Sequence, residues 1–275
     1  MKKLTLTIAL LLLGISIINA QRLVILHTND THSQIETIRV GRNKDMGGVE
    51  RRLQFINSVR KYYGKNKVLL LDAGDYSQGT PYFTVAKGDI EVEIMNVMKY
   101  DVATLGNHEF DNGQEELSRR LKMANYTTLC CNYDFSDTPL RKQIKPYKIV
   151  YRGGLKIGII GATLHLDNLV LASSLEGMKS LNIIKEVNKL AAMLKDNKHC
   201  DIIILLSHLG YSGGSLEHPS DIIMAQNSEN IDIIIGGHSH TYLKEVDNEL
   251  NLKGKNVIIT QSGAQGVFVG KLEVF

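Results

Sequence analysis

Residue types that bind divalent metals recur wherever an apolar run of this chain ends. "LVILHTNDTH" finishes in Asp30 and His32, "VLLLDAGD" in Asp75, and "VATLGNHEFD" in Asn107, His108 and Asp111. "IIILLSH" finishes in His208, and "DIIIGGHSH" in His238 and His240. Imidazole nitrogens mixed with carboxylate and amide oxygens are the donor set of Zn, Mn, Fe or Co sites. Each group alone has a plainer reading. A strand-end His is more often a hydrogen-bonded turn residue, an Asp there is often a helix N-cap, and a stretch rich in Asn, Asp and Gly is ordinary loop chemistry. Five such exits in one chain tip the balance, because the carboxyl ends of parallel strands share one edge. The i, i+2 spacing of Asp30/His32 and of His238/His240 puts both members of a pair on one side of an extended segment.

The elements that must hold these residues follow from the apolar runs at 22–28, 67–73, 101–106, 127–132, 155–162, 201–208, 231–238 and 256–263. Most are continuous, as expected for strands covered on both faces. Helical patterns lie between several of them. Val49, Leu53, Ile56 and Tyr63 share a face of one, and "GQEELSRRLKMA" and "LNIIKEVNKLAAMLKD" form two more, with Gly113 and Ser180 near their starts. Strand–helix alternation predicts an α/β fold. "KIVYRGGLKIGII" reads as an antiparallel hairpin, so the sheets are expected to be mixed, and "VFVGKLEVF" reads as a closing strand.

The chain has 275 residues, with 43% hydrophobic and 22% charged, which is ordinary globular composition. Residues 1–20 stand apart. "MKK", the apolar "LTLTIALLLLGISII" and "NA" before Gln21 have the layout of a cleaved secretory signal peptide, which predicts a secreted or periplasmic, bacterial protein. No Cys follows the apolar run, against a lipoprotein anchor, and no second run is long enough to span a membrane. Without Lys2 and Lys3 the 32 basic residues become 30 against 29 acidic ones, close to +1. That balance argues against a nucleic-acid or membrane surface as partner. Cys130, Cys131 and Cys200 lack metal-thiolate spacing and are expected to be buried thiols. His199 and His218 read as surface residues, His165 lies outside the exits, and His27 reads as support behind the ligands.

"HTNDTH", "LDAGDYSQGT", "GNHEFDNG", "SHLGY" and "GGHSH" occur in the order found in the 5′-nucleotidase branch of the calcineurin-like dinuclear metallophosphoesterases, which residues 22–275 resemble. The resemblance implies a four-layer αββα sandwich of two mixed sheets flanked by helices. It implies two divalent metal ions (Zn, Mn or Co), one held by Asp30, His32, Asp75 and His240, the other by Asp75, Asn107, His208 and His238. Asp75 bridges them. Better-known relatives carry Gln or Asn at the position of His240. The resemblance also assigns His108 to the substrate phosphate, oriented by Asp111, with in-line attack by a metal-bridging hydroxide. A nucleophilic His108 is the rival role.

Full-length relatives continue into a C-terminal domain that holds the nucleoside. Residues 21–275 would then be a catalytic domain with that second domain absent, and a separately encoded partner protein is the expected candidate to supply it. The expected function is an exported phosphoesterase acting on phosphate monoesters, nucleotides first. A cyclic-nucleotide phosphodiesterase, a nucleotide-sugar pyrophosphatase and a non-catalytic binding module remain as alternatives.

Overall fold

The computed structural model describes residues 23–275, so the apolar N-terminal segment lies outside the described residues. Two six-stranded sheets dominate. In spatial order the first consists of Gly270–Val274, Leu23–Thr28, Val68–Asp72, Val102–Thr104, Thr127–Leu129 and Ile144–Lys145. Its strands run parallel except Gly270–Val274, which closes one edge antiparallel to Leu23–Thr28. The second consists of Asp247–Leu250, Asn256–Thr260, Ile233–Ile235, Ile202–His208, Leu155–Thr163 and Tyr147–Arg152. Here both edge strands are antiparallel and the four inner ones parallel. The expected Gly153–Gly154 hairpin joins Tyr147–Arg152 to Leu155–Thr163.

Alternation along the buried strands explains the layering. Leu23 and Ile25 point between the sheets, where they meet Leu69, Leu71, Ile157, Ile159, Ile204 and Leu206. Val24 and Leu26 point the other way, onto Ile56, Val59, Val92 and Met95 of the helices Val49–Tyr63 and Asp89–Met98. On the far face of the second sheet, Ile203 and Leu205 pack with Ile183, Val187 and Ala191 of the helix Ile183–Ala192. A strand with two apolar faces needs a cover on each. Two such sheets, back to back and each covered by helices, give the expected four-layer αββα sandwich. The 183–192 helix starts close to Ser180, as expected, and is capped by Asn182, its side chain accepting from Lys185 N at 2.9 Å. Ser180 itself pairs with Tyr133 in a two-residue strand. Cys130, Cys131 and Cys200 are buried free thiols, as expected. Among the described residues no helix is long and apolar enough to cross a membrane.

Candidate metal centre

The carboxyl ends of parallel strands from both sheets meet at one edge, and the predicted ligands collect there. Asp30 follows the 23–28 strand, Asp75 the 68–72 strand and Asn107 the 102–104 strand, while His208 ends 202–208 and His238 lies just past 233–235. Three donor groups form, each with its ligand atoms within 4.8 Å: Asp30, His32 and His240; His32, Asp75 and His108; Asp75, His208 and His238. Asp75 belongs to two of them, the placement a bridging carboxylate needs. Asn107 joins through its Oδ1, 3.2 Å from His238 Nδ1.

The i, i+2 spacing brings the residues together for a different reason from the one expected. These segments are not extended. Asp30, His32, Asp75, His238 and His240 all have left-handed backbone, with φ between 46° and 73°. Non-glycine residues pay strain there, and such residues cluster at functional sites. The chain turns sharply at each exit, so His238 joins Asp75 and His208 while His240 joins Asp30 and His32. The glycines between the ligands let the strands approach. A Cβ on Gly106 would run into the Asp75 carboxylate, and one on Gly237 would lie 2.8 Å from His208 Nδ1.

The interior half is held from behind. His208 is fully buried, and its Nδ1 donates to Ala73 O at 2.7 Å. That fixes the ring orientation and leaves Nε2 as the nitrogen free to bind a metal once deprotonated. Nε2 lies 3.0 Å from Asp75 Oδ2 yet makes no hydrogen bond. Burial pushes His208 down, but the carboxylates of Asp75 and Asp30 outweigh it and raise the ring to about 10. Burial works against the charge on Asp75 too, and His208 and His108 nevertheless hold it well below the usual carboxylate range. This pocket demands positive charge. At the outer half the Nε2 atoms of His32 and His240 face each other at 2.9 Å, with Asp30 Oδ1 3.5 Å from the latter. An orphaned buried imidazole nitrogen, opposed imidazoles and two buried carboxylates fit divalent cations.

Several positioning residues lay outside the ligand reading. Glu109, placed outside the ligand set, is fully buried, and its carboxylate accepts from Asp75 N, Ser77 N and Gly106 N at 2.9, 3.1 and 2.6 Å. Burial raises its carboxyl to about 7. Arg120, also fully buried, donates to Ser77 Oγ and to Glu109 O at 2.9 and 2.7 Å. Asn29 donates to Asp30 Oδ2 at 2.6 Å and accepts from Ser262 N. Asn29 and Glu109 sit inside the motifs, and their neighbours are the only sequence signal for them. Arg120 has none.

His108 and Asp111 flank the centre. His108 N donates to Asp75 Oδ1 at 2.9 Å, and His108 Nδ1 lies 2.9 Å from Asp111 Oδ2. That hydrogen bond raises the pKa of His108 above its ordinary value, against the pull of burial. His27 does not support the ligands as expected. It is turned toward Thr260 Oγ1 at 3.3 Å and packs against Gly270, and burial lowers it to about 4. His199 and His218 are exposed, as expected. His165, outside the exits, stacks edge-on with His218 at 4.3 Å.

This two-sheet sandwich, with mixed His, Asp and Asn donors at its strand ends, is built like the metallophosphoesterases. The chain belongs to the calcineurin-like phosphoesterase family, which matches residues 23–242. It is 35% identical to human 5′-nucleotidase over 287 residues, covering 93% of this chain and 46% of that protein. The solved 5′-nucleotidase precursor of Thermus thermophilus superposes with a TM-score of 0.83 at 32% identity, covering 92% of this chain and 51% of the other. The NAD nucleotidase of Haemophilus influenzae gives 0.79 at 32% identity, with 92% and 47% covered. The chain spans about half the length of the curated relatives it matches.

Proposed function

We propose that this chain is the catalytic half of an exported 5′-nucleotidase-like phosphomonoesterase. The observation that carries the reading is the convergence of Asp30, His32, Asp75, Asn107, His208, His238 and His240 on one edge, with His108 and Asp111 beside them. Asp30, His32, Asp75 and His240 would hold one divalent ion, and Asp75, Asn107, His208 and His238 the other. Bound there, the ions supply water activation and neutralise charge on the phosphoryl oxygens.

The chain's own groups do the rest. His108 is the catalytic residue. Its Nδ1 is committed to Asp111, so Nε2 is the atom left to meet the substrate, donating a hydrogen bond to a phosphoryl oxygen or a proton to the departing alkoxide. Asp111 is a positioning residue that favours the imidazolium. Glu109 fixes the loops of Asp75 and Asn107 by taking three backbone N–H groups. The layout of residues 1–20 supports export by a signal peptide.

Nucleotides are the proposed substrates because the relatives named above are nucleotidases. The NAD nucleotidase among them favours a second reading, attack on a pyrophosphate-linked nucleotide. The remaining half of the relatives' length supports a further domain for substrate binding, on this chain or on a separate one. The test is hydrolysis by the chain loaded with Mn²⁺, Co²⁺ or Zn²⁺, across 5′-mononucleotides, cyclic nucleotides and nucleotide sugars, with inorganic phosphate and nucleoside monophosphate both followed as products. Phosphate release from 5′-mononucleotides is expected. Cleavage confined to diesters or pyrophosphates, read as nucleoside monophosphate formed without phosphate, would replace the proposal with the second reading, and no product from any ester would end both.

A further inference from the structure

A cluster of buried polar atoms outside the donor groups surrounds one small cavity. Ser33 Oγ, Arg52 Nε and Nη1, Tyr76 Oη and both carboxylate oxygens of Glu91 make no hydrogen bond among the described residues. These side chains all line a cavity of about 20 Å³. Arg52 is 8% exposed and Glu91 4%. They come from the helices Val49–Tyr63 and Asp89–Met98. Asp72 and Tyr100 form another part of the wall, both hydrogen-bonded to Thr28 Oγ1, at 2.6 and 2.7 Å. Burial raises the Asp72 carboxyl to about 7 and raises the Tyr100 hydroxyl too, with the Arg52 charge among the groups pulling both back. A Cβ on Gly266 would run into Arg52 Nη1, so the backbone there lies against the guanidinium. The cavity adjoins the turns that carry metal ligands. Asp30 N, His32 N and Ser33 N donate to Gly74 O, Asp75 O and Tyr76 O at 2.9, 3.0 and 3.0 Å, which makes the two turns one laddered unit. Ser33 follows His32 and Tyr76 follows Asp75, so each turn sends its next side chain to the cavity wall. The Asp75 turn has a separate anchor in the Glu109 carboxylate, which accepts from Asp75 N and Ser77 N.

A buried guanidinium and a buried carboxylate are costly unless they are paired or hydrogen-bonded. Here both line one cavity, and the orphaned atoms of each have no partner in the protein. A buried water needs about 10–15 Å³ of such space and typically makes three hydrogen bonds, so there is room for one. Its lone pairs suit the Arg52 N–H groups and the Tyr76 O–H, and its protons suit Glu91. The Arg52 charge disfavours a cation in its place, and the Glu91 charge disfavours an anion. We propose that Arg52 and Glu91 are joined through one internal water into a strut that positions the turns at Asp30–Ser33 and Gly74–Tyr76, and with them the ligands of the outer ion. Both are positioning residues that act through Ser33 and Tyr76. The proposal rests on the reading of this edge as a metal centre and adds the support behind its outer half. Because Glu109 anchors the Asp75 turn independently, loss of the strut falls mainly on Asp30 and His32.

The experiment is a double-mutant cycle on the whole chain with Arg52→Met, Glu91→Leu and the two combined, and with Arg52→Lys as the rescue. Three readouts are taken: Mn²⁺ affinity at each half by competitive titration with a metal indicator, urea unfolding of the metal-free chain, and a high-resolution crystal structure of the unaltered chain. Each single variant should weaken the outer ion by about tenfold and the inner ion by less. The double variant should be no worse than the poorer single, because one strut is lost only once. Arg52→Lys should recover most of the loss. Unfolding should show the same non-additivity, and the crystal structure should place one water within hydrogen-bond reach of both Arg52 and Glu91. Equal weakening of both ions, no weakening of either, or losses that add in the double variant would overturn the strut. So would a direct Arg52–Glu91 ion pair, or a metal ion in the cavity. If the unaltered chain binds no Mn²⁺, the metal reading fails, and the unfolding cycle and the crystal structure then decide the strut: additive losses or no bridging water overturn it. If Arg52→Met or Glu91→Leu does not fold, the cycle is run with Arg52→Lys and Glu91→Gln, and additive losses there overturn the proposal equally.

Discussion

The two halves of the centre are built differently. Around Asp75 and His208 the side chains are buried and braced by Ala73 O and the Glu109 carboxylate. Around Asp30, His32 and His240 the braces thin out. Asp30 is buried and held by Asn29 and the His238 amide, but His240 is half exposed and, among the described residues, meets the centre through His32 and the edge of the Asp30 carboxylate. Preorganisation by neighbours that orient a ligand strengthens binding and limits exchange. The inner half should therefore hold its ion more tightly and tolerate substitution less than the outer half.

The sharpest way to break this comparison is Asp75→Asn. Asp75 shares one donor group with His32 and another with His208, so its loss should remove metal from both halves and reduce hydrolysis to background, as chelation of the unaltered chain should. Elemental analysis after gel filtration checks it. Two retained ions would refute the bridging assignment.

His108→Ala separates chemistry from metal binding. His108 is about half-buried and meets the centre through its backbone amide to Asp75 and its ring beside His32. Removing the ring should leave metal content and fold intact while turnover drops by roughly 10²–10⁴ for a substrate with a poor leaving group. Near-normal turnover on such a substrate would sink the assignment.

His240→Ala tests the asymmetry directly. It should weaken the outer ion by about 10–100-fold, leave the inner one in place, and be partly rescued by His240→Gln, which supplies an amide oxygen in place of the imidazole nitrogen. Competitive titration with a metal indicator resolves the two affinities. Equal weakening at both halves would mean that the difference in burial does not govern affinity.

The parts of the molecule that were legible in sequence are those written locally. Continuous apolar runs announced the strands, and polar residues at their ends announced the shared edge, because strand direction alone decides where those ends meet. The helix Asp89–Met98 gave no such signal. Ile90, Val92 and Ile94 alternate with period two, which mimics a strand, while tertiary packing on Val92, Met95 and Met98 makes it helical. The support around the ligands was hidden for another reason. Glu109 reaches Asp75 across 34 positions and Asn29 reaches Ser262 across 233, and no local pattern encodes a contact of that span. The left-handed turns at Asp30, His32, Asp75, His238 and His240 were equally invisible, since Asp and His, though enriched in that backbone, adopt it at only a small minority of their positions.

The smallest expected effect is that of Asp111→Asn. Asp111 lies outside the donor groups and, in the proposed mechanism, would act through His108, whose Nδ1 it holds at 2.9 Å. The amide oxygen of Asn can still accept that hydrogen bond, so the ring keeps its orientation. What disappears is the negative charge that helps raise His108, and with it part of the imidazolium. Turnover should fall by about tenfold, with metal content unchanged. The loss must depend on the leaving group. A departing nucleoside alkoxide needs a proton, whereas an activated aryl oxide does not. The deficit should therefore appear with AMP and shrink toward nothing with 4-nitrophenyl phosphate. A merely structural role would lower both substrates alike, and an equal loss on the two would remove Asp111 from the proton path.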